Sequence, residues 1–133
     1  MSFSTQLTIN FGDTDPAALV YFPNIFHYCH IVMERFFHER CGVPYSTLIH
    51  EKRLGFPTVQ VQAEFKSAIR YGDLIGVELT VAKVGTKSLS LSYKLTREDV
   101  VCAEVSQVVV AMDLDSHRSV EIPDFLREVL RRE

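Results

Sequence analysis

The chain has 133 residues, 47% of them hydrophobic and 23% charged, the balance of a soluble globular protein that can bury one core without disulfides or metals. Fourteen Lys+Arg against 17 Asp+Glu leave a net charge of −3, which argues against a general nucleic-acid binder. The apolar runs are too short to cross a bilayer, MSFSTQLTINF lacks the parts of a secretory signal, and Cys29, Cys41 and Cys102 form no CxxC pair. These features predict a single domain over residues 1–133, working in the cytoplasm with reduced thiols.

Thr5 to Phe11 carries Leu7, Ile9 and Phe11 at alternate positions and reads as a strand. Gly12-Asp13-Thr14-Asp15-Pro16 follows as a dense cluster of turn formers. Pro23 suits the first turn of a helix, and Ile25, Tyr28, Cys29, Val32 and Phe36 recur at helical spacing as far as Arg40. Phe26, Ile31, Met33 and Phe37 add apolar groups on other sides, so this helix is expected to be buried. Cys41-Gly42-Val43-Pro44 ends it, and a short second helix fits Tyr45 to His50.

The remainder reads mostly as strand. Thr58 to Phe65 alternates Val59, Val61, Ala63 and Phe65; Leu74 to Val84 alternates Ile75, Val77, Leu79 and Val81. A compact turn at Gly85-Thr86 leads into Ser88 to Leu95, and Arg97-Glu98-Asp99 turns the chain into a long strand from Val100 to Met112. An amphipathic helix covers Pro123 to Arg131. The economical arrangement is α+β: a curved antiparallel sheet of about five strands wrapped around one long central helix.

The segment Phe11 to Asn24 is the one that can carry chemistry, because it joins the first strand to the start of the long helix. A helix start offers unpaired N–H groups and partial positive charge, the means to polarise a carbonyl oxygen. A carboxylate a few residues upstream can act on the same carbonyl carbon as nucleophile or general base. The same spacing also allows Asp13 and Asp15 to serve only as turn caps.

GDTDPAALVYFPN resembles the active-site segment of the 4-hydroxybenzoyl-coenzyme A thioesterase family of hotdog-fold proteins, whose pattern is D-x-D-x-x-G-[IV]-V-[YFW] leading into a central helix. The resemblance continues through GFPTVQVQAEFKSAIRYGD to RSVEIP and so covers nearly the whole chain. It implies an acyl-CoA thioesterase acting on an aromatic acyl group, of benzoyl, hydroxybenzoyl or dihydroxynaphthoyl type. Asp15 would be the catalytic carboxylate and the backbone N–H of Phe22 the donor to the thioester oxygen, with Asp13 structural. Ala18 departs from the family glycine, a methyl that bears on loop shape and substrate fit. Lys87 and Arg118 match basic positions that contact the nucleotide. His30 stands where the 4-hydroxybenzoyl enzyme has an acidic residue that reads the substrate hydroxyl, and Tyr21, Phe22, Phe26 and Phe56 could supply an aromatic-compatible wall.

The resemblance further implies a homodimer or homotetramer with active sites between subunits, coenzyme A as part of the substrate, and no metal or other cofactor. Long exposed strand edges point to self-association as well. Competing readings are a metal site on His27, His30 and Glu34, catalysis by Glu34, and a hotdog module that binds acyl-CoA without cleaving it. A hydratase and an aliphatic acyl-CoA thioesterase also share the fold.

Overall fold

The computed structural model describes residues 2–132. Its elements run β1 (Ser2–Thr8), α1 (Asn24–Glu39), α2 (Tyr45–His50), β2 (Leu54–Gly55) and β3 (Thr58–Phe65). They continue with β4 (Leu74–Val84), β5 (Ser88–Arg97), β6 (Val100–Val110), β7 (Met112–Asp113), β8 (Arg118–Ser119) and α3 (Asp124–Arg131). The main sheet has five strands in the order β1-β4-β5-β6-β3, with every neighbouring pair antiparallel. A small three-stranded sheet, β2-β7-β8, stands beside it.

Period-two alternation explains why the sheet has a dry face. Ile75, Val77 and Leu79 of β4, and Leu89, Leu91, Tyr93 and Leu95 of β5, are all buried. Against them lies the wide apolar face of α1, with Ile25, Tyr28, Cys29, Val32, Met33, Phe36 and Phe37 buried. The α1 helix keeps a wet side as well: His27, His30, Glu34 and His38 are exposed, so it is half-covered rather than enclosed. Pro23 caps its start, and the chain leaves through Gly42 in the left-handed region at φ 71°. Leu126 and Leu130 of α3 close the far end of the core.

The α+β architecture and the curved antiparallel sheet agree with the sequence reading, while two boundaries move and one strand is less covered than expected. The first strand is Ser2–Thr8 rather than 5–11, and Phe11 lies in a 3-10 turn with its ring 70% exposed. The long last strand breaks at Ala111 into β6 and β7. The alternation in β3 is present, but among the described residues its apolar face is left largely open: Val59 is 60% and Phe65 52% exposed. Periodicity records which side chains share a face, not whether a second layer reaches it, and β3 is the outermost strand.

Candidate active site

The segment after β1 folds into a tight loop. Asp15 N donates to Leu19 O at 2.8 Å, Ala18 N to Asp15 O at 2.9 Å, and Tyr21 N to Asp13 O at 3.1 Å. Ala18 reaches this turn at φ 61°, a left-handed conformation that costs a residue with a Cβ about 1 kcal/mol. The loop is zipped to the β3–β4 connection by Val20 N to Ile69 O at 2.8 Å and Tyr71 N to Ala18 O at 3.0 Å. Backbone bonds on both sides therefore hold Asp15 in place.

The two aspartates have different surroundings. Asp13 Oδ2 accepts the Asn10 N–H, and the Asp13 carbonyl accepts Asn24 Nδ2 as α1 begins. The Tyr28 hydroxyl is buried beside Asp13 without a hydrogen bond of normal geometry; burial first, and then the Asp13 charge, push its pKa up. Asp15 instead uses one oxygen to hold its loop: Oδ1 accepts the N–H groups of Ala17 at 2.9 Å and Leu19 at 3.3 Å. Its Oδ2 accepts no hydrogen bond among the described residues. The Phe22 N–H likewise donates to no acceptor among the described residues, while Asn24 and Ile25 donate back to the carbonyls of Tyr21 and Phe22. The loop that leads into α1 thus carries an anchored carboxylate with a free oxygen, and the start of the helix offers a free amide at Phe22.

Beneath the loop exit lies a cavity of about 120 Å³ lined by Val20, Phe22, Ile25, Phe65, Ser67 and Ile69, among others. The Phe22 and Phe65 rings meet edge-on at 6.1 Å over it, both more than half exposed. Tyr21 is equally exposed, its ring 5.7 Å from that of Phe22. Phe26 meets Phe65 edge-on at 6.5 Å. Phe65 and Ser67 were not singled out from the sequence, where Phe65 reads as an ordinary strand residue.

The other sequence-derived residues lie elsewhere. His30 is on the wet side of α1, with Nε2 3.2 Å from Glu34 Oε2 and its ring edge-on to Tyr45. Phe56 is a core ring, 3% exposed and stacked on Phe37 at 5.2 Å, so within the subunit it offers no face to a ligand. Burial pushes the Cys29 thiol up to about 12, which keeps it protonated and unreactive. No group of three or more His, Cys, Asp or Glu among the described residues could hold a metal ion.

Lys87 and Arg118 are brought together, but at the opposite end of the sheet. Lys87 O accepts Ala111 N, Val120 N donates to Ala111 O, and Ile122 N donates to Thr86 O. Both side chains are exposed. A Cβ at Gly85 would sit 2.6 Å from Ser88 Oγ and 3.3 Å from Ser88 O, so this hairpin favours glycine. Asp113 Oδ1 accepts the N–H groups of Asp115 and Ser116, which fixes the turn before Arg118 and lowers the Asp113 pKa.

The sequence model of the thioesterase-like superfamily matches residues 9–130. This chain belongs to that family. A 1,4-dihydroxy-2-naphthoyl-CoA hydrolase of Nostoc punctiforme is 30% identical over 93% of this chain and 83% of its own length. The 4-hydroxybenzoyl-CoA thioesterase of Pseudomonas sp. strain CBS-3 is 28% identical, covering 92% of each chain, and its crystal structure superposes with a TM-score of 0.87. A gentisyl-coenzyme A thioesterase structure aligns with a TM-score of 0.86 at 26% identity, over 97% of this chain and 99% of the other. The fold is the hotdog fold of these thioesterases. Among the described residues no helix is long and apolar enough to cross a membrane.

Proposed function

We propose that this chain, acting as one domain, hydrolyses the thioester of an aromatic acyl-coenzyme A. Asp15 Oδ2 attacks the carbonyl carbon or takes a proton from a water that does so. The Phe22 N–H stabilises the negative charge that develops on the carbonyl oxygen. Collapse of the tetrahedral species breaks the C–S bond and releases the coenzyme A thiolate, which is then protonated. Where Asp15 itself attacks, water next cleaves the acyl–Asp15 anhydride and frees the carboxylate, and by either route water supplies the oxygen of the new carboxylate. Carboxylate, amide and water suffice, so the reading requires no metal or cofactor. The observation that carries it is the division of labour at Asp15, one oxygen bonded to the loop and the other free, in the loop that ends at the unpaired helix-start amide of Phe22. The apolar cavity under Phe22 and Phe65 suits the acyl group, and relatives named for dihydroxynaphthoyl-, hydroxybenzoyl- and gentisyl-CoA support an aromatic one.

The working unit is at least a homodimer built across β3. In one subunit the Asp15 loop and the Lys87–Arg118 corner stand at opposite ends of the sheet, roughly 25–35 Å apart at about 3.4 Å per residue. The β3 strand runs between them: Thr58 pairs with Val109 near the basic corner, and Phe65 pairs with Ala103 beside Phe22. Its uncovered Val59, Val61 and Phe65 favour burial against a second copy. A two-fold axis across β3 sets the strand antiparallel to its copy and brings the Asp15 end beside the partner's Lys87 and the partner's Arg118. Those cations would then hold the nucleotide phosphates while the acyl group enters under Phe22. Cys29, Cys41 and Cys102 form no disulfide, which suits the reducing cytoplasm.

The test is free-thiol release from benzoyl-, hydroxybenzoyl-, dihydroxynaphthoyl- and straight-chain acyl-CoAs, comparing wild type with Asp15→Asn. Preference for one aromatic ester, with turnover lost by several orders of magnitude in the folded variant, is expected. Near-normal turnover in Asp15→Asn would refute its role and move attention to Glu34, whereas no release by wild type would favour a binding module.

A further inference from the structure

Two arginines that the chemistry does not use each tie segments distant in the chain together, one at either end of the sheet: Arg97 through a backbone carbonyl and a carboxylate, Arg127 through three backbone carbonyls. Arg97, at the end of β5, donates through Nη1 to Ala68 O and lies 3.4 Å from Asp73 Oδ2. This pair is the more buried, with side chains 20% and 16% exposed. Asp73 Oδ2 also accepts the Arg70 N–H at 2.8 Å, and Asp73 O accepts the Ile9 N–H at 3.0 Å. Arg97 thus grips both ends of segment 68–73, whose middle bonds directly to the Asp15 loop through Ile69 O and Tyr71 N. At the other end Arg127, on α3, donates through Nη1 to Gly85 O at 2.9 Å. Its Nη2 donates to Thr86 O at 2.7 Å and to Ile122 O at 3.4 Å. It joins the hairpin that carries Lys87 to the segment that follows Arg118.

Resting on the thioesterase reading above, we propose that Arg97 and Arg127 are positioning residues with separable effects. Arg97 holds the loop that aims Asp15 and so governs kcat; Arg127 holds the basic corner and so governs KM. A planar fork can serve two or three acceptors at once, and a lysine ammonium at the same place lacks that geometry. Loosening the Arg97 clamp leaves the Asp73 carboxylate and the Ala68 carbonyl short of a partner and frees the 68–73 segment to shift. Displacement of a reacting group by about 1 Å costs on the order of a hundredfold in rate.

The test is steady-state kinetics of Arg97→Lys and Arg127→Lys on the preferred acyl-CoA, with melting temperatures alongside. Arg97→Lys is expected to lower kcat by about ten- to a hundredfold with KM within about twofold. Arg127→Lys is expected to raise KM several-fold with little change in kcat. Guanidinium ion added at millimolar concentration to Arg97→Ala should recover part of kcat, which a general loss of stability would not allow. If Arg97→Ala does not fold, the kcat-against-KM split in the lysine variants decides alone. Equal effects of both lysine variants on kcat and KM, in step with their melting temperatures, would overturn the inference and leave the thioesterase reading intact. Absence of turnover in wild type would overturn both.

Discussion

The two ends of the sheet are built on opposite principles. At the Asp15 end, the parts that the proposed reaction uses are a backbone amide and a single carboxylate, and the cavity beside them is lined mostly by apolar residues: Val20, Phe22, Ile25, Phe65 and Ile69. Position is secured by main-chain bonds between loop 13–21 and the 68–73 segment. At the other end, Lys87 and Arg118 are exposed side chains on short turns. A reacting carbon demands placement within fractions of an ångström, which a zipped backbone can supply. A flexible, multiply charged nucleotide needs attraction more than alignment, which long cationic side chains provide. In the proposed dimer, the two-fold partner brings the two ends within reach of one ligand.

Substitutions can sharpen this contrast, and the largest loss falls at the carboxylate. Asp15→Asn keeps nearly the same shape and removes the charge, so its effect belongs to kcat. Next comes the shared edge: Val61→Lys places a charge in the middle of the uncovered face of β3. It should shift the dimer toward monomer in sedimentation, with activity falling in parallel because neither subunit holds both ends. A fully active monomer would break the comparison. The double variant Lys87→Ala/Arg118→Ala should raise KM about tenfold with kcat nearly unchanged, since exposed charge-assisted bonds contribute of order 1–2 kcal/mol. A flat KM would place the nucleotide elsewhere. The smallest effect concerns Ala18, whose φ of 61° strains the loop. Ala18→Gly should stabilise the protein by up to about 1 kcal/mol, read as a rise of a few degrees in melting temperature.

Much of the fold was legible because it follows from local physics. Alternation in 74–84 and 88–95 marks a two-faced sheet, and the apolar stripe from Ile25 to Phe37 marks the helix that covers it. The loop from Gly12 to Asn24 stood out because two carboxylates and two prolines precede a helix. Less legible were features set by what lies across the fold. Phe11 continues the period of β1 yet points to solvent, because Gly12 and Asp13 already turn the chain. Phe56 reads as an aromatic beside a glycine, and only packing shows it stacked on Phe37 in the core. Arg97 reads as part of a turn and Arg127 as one position of an amphipathic helix; their partners lie 24 to 42 positions away, Ile122 excepted, so no spacing rule reaches them. Phe65 owes its place at the cavity mouth to β3 being an edge, a matter of strand order.

The most direct test of a site shared between subunits is complementation in mixed dimers. Asp15→Asn subunits and Lys87→Ala/Arg118→Ala subunits are each impaired, the first in kcat and the second in KM. In a mixed dimer with shared sites, one site combines an intact Asp15 with an intact basic pair from the other subunit, while the second site carries both defects. Co-refolding equal amounts should therefore restore wild-type KM together with a substantial share of wild-type kcat. If each site is contained within one subunit, every site keeps one defect, and the mixture shows only the sum of the two impaired enzymes. That result would contradict the shared site.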